Sequence, residues 1–159
     1  MQIAKAFGAD VTGVCSTKNV ELVRSLGADR VIDYTREDFT EGSERYQLIL
    51  DNVGNRTLSS MKRVLTPGGK CVLTGAPKEL SAVFTRILKA FTWSPFLRQK
   101  LKFFIANINR DDLMLFCELI KAVKVSQAID RRYPLEQTAA AIAYVEEGHA
   151  RAKVLIVPQ

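Results

Sequence analysis

Three short segments in the sequence combine hydroxyl, amide, cationic and glycine residues directly after apolar runs that predict β-strands. In open α/β sheets, ligands bind beyond the carboxyl ends of the strands, so residues at these positions are candidates for binding a ligand. A glycine there lets the backbone approach the ligand closely. The alternative for the second and third segments is ordinary turn chemistry. The candidates are Ser16, Thr17 and Lys18 after VTGVC, Asn52, Val53 and Gly54 after LILD, and Thr74, Gly75 and Ala76 after KCVL.

The first of these segments bears on the choice of nucleotide. In dinucleotide-binding sheets, an acidic residue at the end of the second strand hydrogen-bonds the ribose 2′-OH of NAD and would repel a 2′-phosphate. The loop CSTKN (15–19) contains no acid, and its hydroxyls and its lysine could donate charge-assisted hydrogen bonds to a phosphate. This composition favours NADP(H) over NAD(H). The alternative is that Ser16 and Thr17 cap the following helix and that Lys18 is a solvated charge.

The composition suits one globular domain with an anionic partner, since the 159 residues are 47% apolar and carry a net charge of +6. No apolar run predicts a membrane span, and no signal-peptide pattern is found. Cys15, Cys71 and Cys117 lie too far apart for a metal site. We therefore expect no bound metal, buried thiols at Cys15 and Cys71, and a reducing, cytoplasmic location. His149 has no nucleophile at motif spacing, so no hydrolytic triad is expected.

Short runs rich in valine and isoleucine alternate with segments of helical spacing. Gly27 is the expected stop of the first full helix, Thr35 is the expected N-cap of a short helix in TREDF, and TPGG (66–69) is the expected turn after the next helix. Continuous apolar strands separated by helices predict a parallel sheet covered on both faces. The predicted fold class is α/β, doubly wound and Rossmann-like. The predicted strands are VTGVC, RVIDY, YQLILD, KCVL, KFFIANI, SQAIDRRY and AKVLIVP, and the other predicted helices are NVELVRSL, NRTLSSMKRVL, RDDLMLFCELIKAV and PLEQTAAAIAYVEE.

The glycine-rich turn that normally opens such a fold is not found in this sequence. That turn comes after the first strand and holds the cofactor pyrophosphate at a helix N-terminus, but no G-x-G-x-x-G or close variant occurs here. The opening MQIAKAFGADVTGVCSTKN resembles the helix remainder and second strand that come directly after such a turn. We therefore expect a fold that lacks its first strand, which is central in the usual order, so that VTGVC and LILDN would flank a gap and lack a ladder partner.

Four segments in register carry a resemblance to a known family: QIAKAFGADVTGVCSTKNVELVRSLGADRVIDY, LILDNVG, LTPGGKCVLTG and GHARAKVLIVP. In this order they resemble the C-terminal, cofactor-binding half of the medium-chain dehydrogenase/reductase superfamily, and its zinc-independent quinone oxidoreductase-like branch in particular. The resemblance implies a fragment of a longer protein whose N-terminal GroES-like catalytic domain is absent. It implies a partial dinucleotide-binding domain over residues 1–125 and a strand-helix-strand over residues 126–159 that would return to the catalytic domain.

The same resemblance implies hydride transfer from NADPH to a quinone or an α,β-unsaturated carbonyl. It implies no zinc, acid–base groups that come largely from the absent domain, and hence an inactive isolated chain. Relatives often pair through the sixth strand, here KFFIANI, which implies a homodimer. The implied cofactor contacts are Tyr34 near the adenosine, Asn52, Val53 and Gly54 at the nicotinamide ribose, Thr74, Gly75 and Ala76 beside the nicotinamide, Phe104 and Ile105 at its carboxamide, and Arg151 and Lys153 at a phosphate.

Other functions stay open at this point. A non-catalytic nucleotide-binding or regulatory module is supported by the missing glycine turn. A methyltransferase is suggested by LTPGGKCVLTG, but the acid expected after the second strand is lacking. Residues 80–110 contain bases and no acid, which we interpret as an amphipathic helix with a solvated basic face. The other interpretations are a lid or dimer-edge segment beside the substrate cleft and, less favoured, a membrane-surface segment. No motif for binding nucleic acid is found.

Overall fold

The strand pairs of the computed structural model are all parallel across the residues that it describes, which are 1–74, 100–103, 107, 109–148 and 150–158. Parallel pairing between strands joined by helices confirms the predicted α/β class. The chain divides into two compact units: the first unit is Met1–Asp33 with Asn109–Gln159, and the second unit is Tyr34–Ile108.

The strands and helices follow the predicted order along the chain. The strands are β1 (Thr12–Cys15), β2 (Arg30–Asp33), β3 (Tyr46–Asp51), β4 (Leu65–Leu73), β5 (Lys100–Phe103), β6 (Ile129–Pro134) and β7 (Lys153–Val157). The helices are α1 (Gln2–Ala6), α2 (Val20–Ser25), α3 (Leu58–Arg63), α4 (Arg110–Lys121) and α5 (Thr138–Glu146), with 3-10 turns at Thr17–Asn19 and Leu135–Gln137.

The first unit contains two parallel strand pairs, β1 with β2 and β6 with β7. The register of β1 and β2 runs from Thr12 opposite Arg30 to Cys15 opposite Asp33, so the two strands end at the same edge. Gly27 has φ +89 and follows α2, as predicted for a helix stop. At the other end of the pair, Asp29 accepts hydrogen bonds from the backbone N–H of Val11 at 2.7 Å and from Nζ of Lys5 at 2.7 Å.

The second unit contains the three-stranded parallel sheet β3-β4-β5. Along β3 the side chains alternate, so that Ile49 and Asp51 are buried while Leu48 and Leu50 are 59% and 56% exposed. Helix α3 covers the buried face. The resulting hydrophobic cluster lies between α3 and the sheet, and its buried members are Ile49, Met61, Val64, Leu65, Cys71 and Leu73.

Two local predictions in the second unit are wrong. TREDF forms turns and no helix, because the Asp38 carboxylate accepts hydrogen bonds from the N–H and the hydroxyl of Thr40, both at 2.9 Å, and lies 3.3 Å from Arg56. TPGG was expected to form the turn after α3, but it lies within β4. There β3 advances from Tyr46 to Leu48 while β4 advances from Leu65 to Lys70, so the extra residues form a bulge.

Several predictions concern residues outside the described part of the chain. They include the contacts of Gly75, Ala76, Phe104 and Ile105, the role of His149, and most of the basic segment 80–110. For these positions the expectations stay predictions. Among the helices that the structure does describe, none has the length and apolar character needed to cross a membrane.

Candidate functional site

The turn after β3 is organised around the buried carboxylate of Asp51. Oδ1 of Asp51 accepts the backbone N–H of Gly54 at 2.8 Å and that of Val53 at 3.2 Å. Gly54 has φ +76, a conformation that glycine adopts without strain. Because the buried Asp51 carboxylate accepts these backbone hydrogen bonds, it holds residues 52–54 in place and does not face a ligand. The sequence analysis missed this role, although Asp-x-x-Gly after a strand is a recognisable turn signal.

Thr74 joins the end of β4 to this turn. Because Asp51 is in register with Leu73, the next residue, Thr74, lies at the same edge of the sheet. Its backbone N–H donates to the carbonyl of Asp51 at 3.0 Å, and its hydroxyl donates to Oδ1 of Asn52 at 2.5 Å. Since the oxygen of the Asn52 amide accepts from Thr74, the exposed Asn52 has its Nδ2 as donor for a ligand. The structure thus brings Asn52, Gly54 and Thr74 together, as expected for residues at neighbouring strand ends.

The loop after β1 is held in a different way. Oγ1 of Thr17 donates to Oδ2 of Asp33 at 2.5 Å, and the backbone N–H of Asn19 donates to the carbonyl of Ser16 at 2.8 Å. Ser16 is the N-cap residue of the 3-10 turn that leads into α2, but its side chain makes no capping hydrogen bond, and Asn19 occupies the N-cap position of α2 itself. The alternative in which Ser16 caps the helix is therefore met in its position and not in a side-chain hydrogen bond. Lys18 is exposed, as a phosphate-binding or solvated lysine would be.

Asp33 is the acid that the sequence analysis did not place beside this loop. It ends β2, the parallel neighbour of β1, and lies opposite Cys15. The pKa of the Cys15 thiol is raised, first by burial and second by the charge of Asp33. Tyr34, the next residue, belongs to the second unit and is 54% exposed.

Arg151 takes part in a polar network at the start of β7. Its backbone N–H donates to Oδ2 of Asp130 at 3.0 Å, and Tyr144 donates its hydroxyl to the same oxygen at 2.7 Å. The Tyr144 hydrogen bond, followed by that of Arg151, lowers the pKa of Asp130. The guanidinium of Arg131 lies 3.9 Å from the centre of the Tyr144 ring. Arg151 and Lys153 both have exposed side chains, and their contact with a cofactor phosphate stays a prediction.

In the described residues, no group of three or more histidine, cysteine, aspartate or glutamate side chains is placed to hold a metal ion. Cys15 and Cys71 are buried free thiols, and Cys117 is an exposed one. The side chains described at the strand ends, among them Asn52, Thr74 and Lys18, offer hydrogen bonds and charge to a polar ligand.

Comparison with known proteins agrees with this arrangement. Residues 26–156 match a family model described as zinc-binding dehydrogenase. Over 98% of its length the chain is 35% identical to the NAD(P)H oxidoreductase RTN4IP1, mitochondrial, of Mus musculus. Over 99% it is 33% identical to the NADPH-dependent alkenal/one oxidoreductase, chloroplastic, of Arabidopsis thaliana. The chain spans 43% and 36% of the lengths of these two relatives.

A solved structure shows the same fold. The chain is similar to the quinone oxidoreductase from Coxiella burnetii with a TM-score of 0.73 at 23% sequence identity. The match covers 98% of this chain and 47% of that one. At this level of identity the likeness is evidence for the fold alone.

Proposed function

The chain belongs to the zinc-binding dehydrogenase family, in the medium-chain dehydrogenase/reductase superfamily, and we propose that it is the cofactor-binding part of an NADPH-dependent reductase of quinones or α,β-unsaturated carbonyls. The two relatives described above carry names that denote NAD(P)H-dependent and NADPH-dependent oxidoreductases. This chain corresponds to the C-terminal half of such proteins. A nicotinamide cofactor would supply the hydride, and the residues of this chain would bind and orient it.

The observation that carries the proposal is the turn at residues 51–54. Backbone N–H groups bound to Asp51 and the Thr74 hydroxyl bound to Asn52 leave the Asn52 amide as a prepositioned donor at the edge of a parallel sheet. A neutral donor of this kind suits the hydroxyl oxygens of a ribose. Gly54 itself is buried, and its φ of +76 allows the tight turn that carries Asn52. The geometry therefore fits the nicotinamide ribose that the resemblance implies at this position.

The preference for NADPH rests on the loop after β1. Ser16 and Lys18 lie at the carboxyl end of the strand, and the lysine is exposed. A lysine and a hydroxyl favour a 2′-phosphate through charge-assisted hydrogen bonds. Tyr34 is a further candidate at the adenosine end of the cofactor, and its exposed ring is available for such a contact.

The rest of the proposal concerns the longer protein. Residues 126–159 would connect this part to a catalytic domain that supplies the acid–base groups. A homodimer would form through residues 102–108, which begin in β5; this strand lies at an edge of the described sheet and so can extend it.

A cytoplasmic location stays a prediction, since the names of the two relatives refer to mitochondria and chloroplasts. The second candidate function is a non-catalytic nucleotide-binding module.

Calorimetric titration of the purified chain with NADPH and with NADH tests the proposal. We expect both to bind, NADPH more tightly, and Lys18→Ala to weaken NADPH binding about threefold to tenfold because one phosphate contact is lost. Lys124→Ala, another exposed lysine of the first unit, is the matched control and should change nothing. Absence of binding by a chain that circular dichroism shows to be folded would contradict the proposal for this chain. Binding with no turnover of quinones or enones, once joined to a catalytic domain, would favour the non-catalytic module.

A further inference from the structure

Asp33 lies beside the loop after β1, the segment proposed above to bind the 2′-phosphate of the cofactor. Strands β1 and β2 are parallel neighbours, and Cys15 is in register with Asp33. The loop after β1 therefore begins beside the carboxylate that ends β2. The contact is direct, because Oγ1 of Thr17 is 2.5 Å from Oδ2 of Asp33. All of these atoms belong to the first unit.

This contact changes what Thr17 can offer to a ligand. A hydroxyl carries one proton, and Thr17 donates its proton to Asp33. Toward any further group, the Thr17 oxygen acts as an acceptor. A phosphate needs donors, whereas a ribose hydroxyl can itself donate. Of the three loop residues expected to bind a 2′-phosphate, Ser16 and Lys18 keep that role, and Thr17 is better suited to a free 2′-OH.

The charge of Asp33 acts in the same direction. In complete dinucleotide-binding sheets, an acid at the end of the second strand accepts a hydrogen bond from the 2′-OH and repels a 2′-phosphate. By the resemblance, β1 corresponds to that second strand, and it carries no such acid. Here the acid is Asp33 at the end of the neighbouring β2, and it contacts the loop after β1 through Thr17. Lys18 attracts the phosphate and Asp33 opposes it, so the two charges at this strand end have opposite effects on the choice of cofactor.

We propose that Asp33 is a specificity-determining residue, which lowers the preference for NADPH over NADH that Ser16 and Lys18 create. This inference rests on the proposed function, because it concerns the adenosine end of the same cofactor. It makes the chain a dual-cofactor binder whose selectivity depends on the balance between Lys18 and Asp33.

The test is the ratio of the NADH and NADPH dissociation constants, measured by calorimetry on the full chain. Asp33→Asn should raise this ratio about threefold to tenfold, the size expected from removing one nearby charge at a solvent-accessible site. Glu21→Gln removes a charge on α2 that pairs with Arg24, and this control should shift the ratio less than about twofold. Thr17→Val removes the oxygen that would accept from the 2′-OH and keeps the Asp33 charge, so the ratio should rise less than it does in Asp33→Asn.

Each outcome bears on the inference. An unchanged ratio in Asp33→Asn, or a rise in Thr17→Val as large as that in Asp33→Asn, would overturn it. If Asp33→Asn does not fold, Asp33→Ser is the second neutral variant and still offers Thr17 an acceptor. A folded wild-type chain that binds neither cofactor would overturn the proposed function and this inference together. Binding by the wild type with no response to Asp33→Asn would overturn the inference alone.

Discussion

The turn after β3 and the loop after β1 both follow a parallel strand, yet they are held in different ways. In the turn, the buried Asp51 carboxylate, which is 7% exposed, binds two backbone N–H groups, and Thr74 binds both the backbone and the Asn52 amide. Ile49, two residues before Asp51 on the buried face of β3, belongs to the hydrophobic cluster. In the loop, Thr17 and Lys18 are exposed, and the hydrogen bond between Thr17 and Asp33 ties the loop to its neighbouring strand.

This difference fits the parts of a dinucleotide that the two segments are proposed to bind. The ribose beside the nicotinamide must be held in a fixed position for hydride transfer, and a turn fixed by buried hydrogen bonds can do this at little further entropic cost. The adenosine end only has to be recognised. There, exposed side chains can be exchanged to alter cofactor preference without disturbing a core.

The strongest test of this comparison removes the anchor of the turn. Asp51→Ala leaves the N–H groups of Val53 and Gly54 without their acceptor, so we expect a loss of about 1–3 kcal/mol in the free energy of unfolding, measured with denaturant. Asp51→Asn should lose less, because both N–H groups bind Oδ1 and an amide oxygen can take its place. Glu37→Ala, at an exposed position of the same unit, is the control. Equal stability of Asp51→Ala and the control would mean that the turn is not anchored by this carboxylate.

A smaller effect is expected from Thr74. Thr74→Val keeps the shape of the side chain and removes the hydroxyl that binds Asn52, so NADPH binding should weaken about twofold to fivefold, with a stability change of about 1 kcal/mol or less. Thr74→Ser retains the hydroxyl and should bind as the wild type does. Calorimetry and thermal unfolding of both variants separate the two effects. If Thr74→Ser binds as weakly as Thr74→Val, the methyl group and not the hydroxyl is what matters, and the proposed orientation of Asn52 is wrong.

Features of the fold that are fixed by residues close together in the sequence could be predicted, whereas features that depend on distant residues could not. Helix α4 and the stop at Gly27 depend on nearby residues, and the structure contains both. The parallel class is also found, because the apolar runs that predict it are visible strand by strand, although the pairing itself is long-range. The absent TREDF helix depends on the hydrogen bonds of Asp38 with Thr40, two positions away, and on the contact of Asp38 with Arg56. The contact with Arg56 and the register between β3 and β4, on which the TPGG bulge depends, are not visible within a short window of sequence.

The candidate site shows the same limit. Asn52, Gly54 and Thr74 were predicted because each follows its own strand, and their proximity results from parallel pairing. Asp33 was missed as a neighbour of the loop because it lies 16 positions from Thr17 along the chain. The pairing of β1 with β2 could have revealed it, since RVID also ends a strand at that edge.

The smallest predicted effect concerns the opposite end of β1, where the Asp29 carboxylate binds Lys5 and the backbone of Val11. The Nζ of Lys5, first, and the N–H of Val11, second, lower the pKa of Asp29 from 3.8 to about 2. A carboxylate whose pKa is lower in the folded than in the unfolded state stabilises the fold above the unfolded-state value, and this contribution is lost as the pH falls from about 4 toward 2. We therefore expect Asp29→Asn to melt at a lower temperature than the wild type at about pH 6, with the gap closing below about pH 4.

Thermal unfolding across this pH range, with Glu118→Gln as a control for an exposed acid of the same unit, checks this prediction. The gap for the control should be small at every pH. A gap for Asp29→Asn that persists unchanged at about pH 2 would mean that the loss comes from replacing an accepting oxygen with an NH2 group and that the charge contributes nothing. A gap that closes would show that β1 depends on an ionised side chain at its start, whereas β3 packs its buried face into a hydrophobic cluster. In that case acid would weaken the attachment of β1 while the hydrophobic cluster of the second unit is still intact.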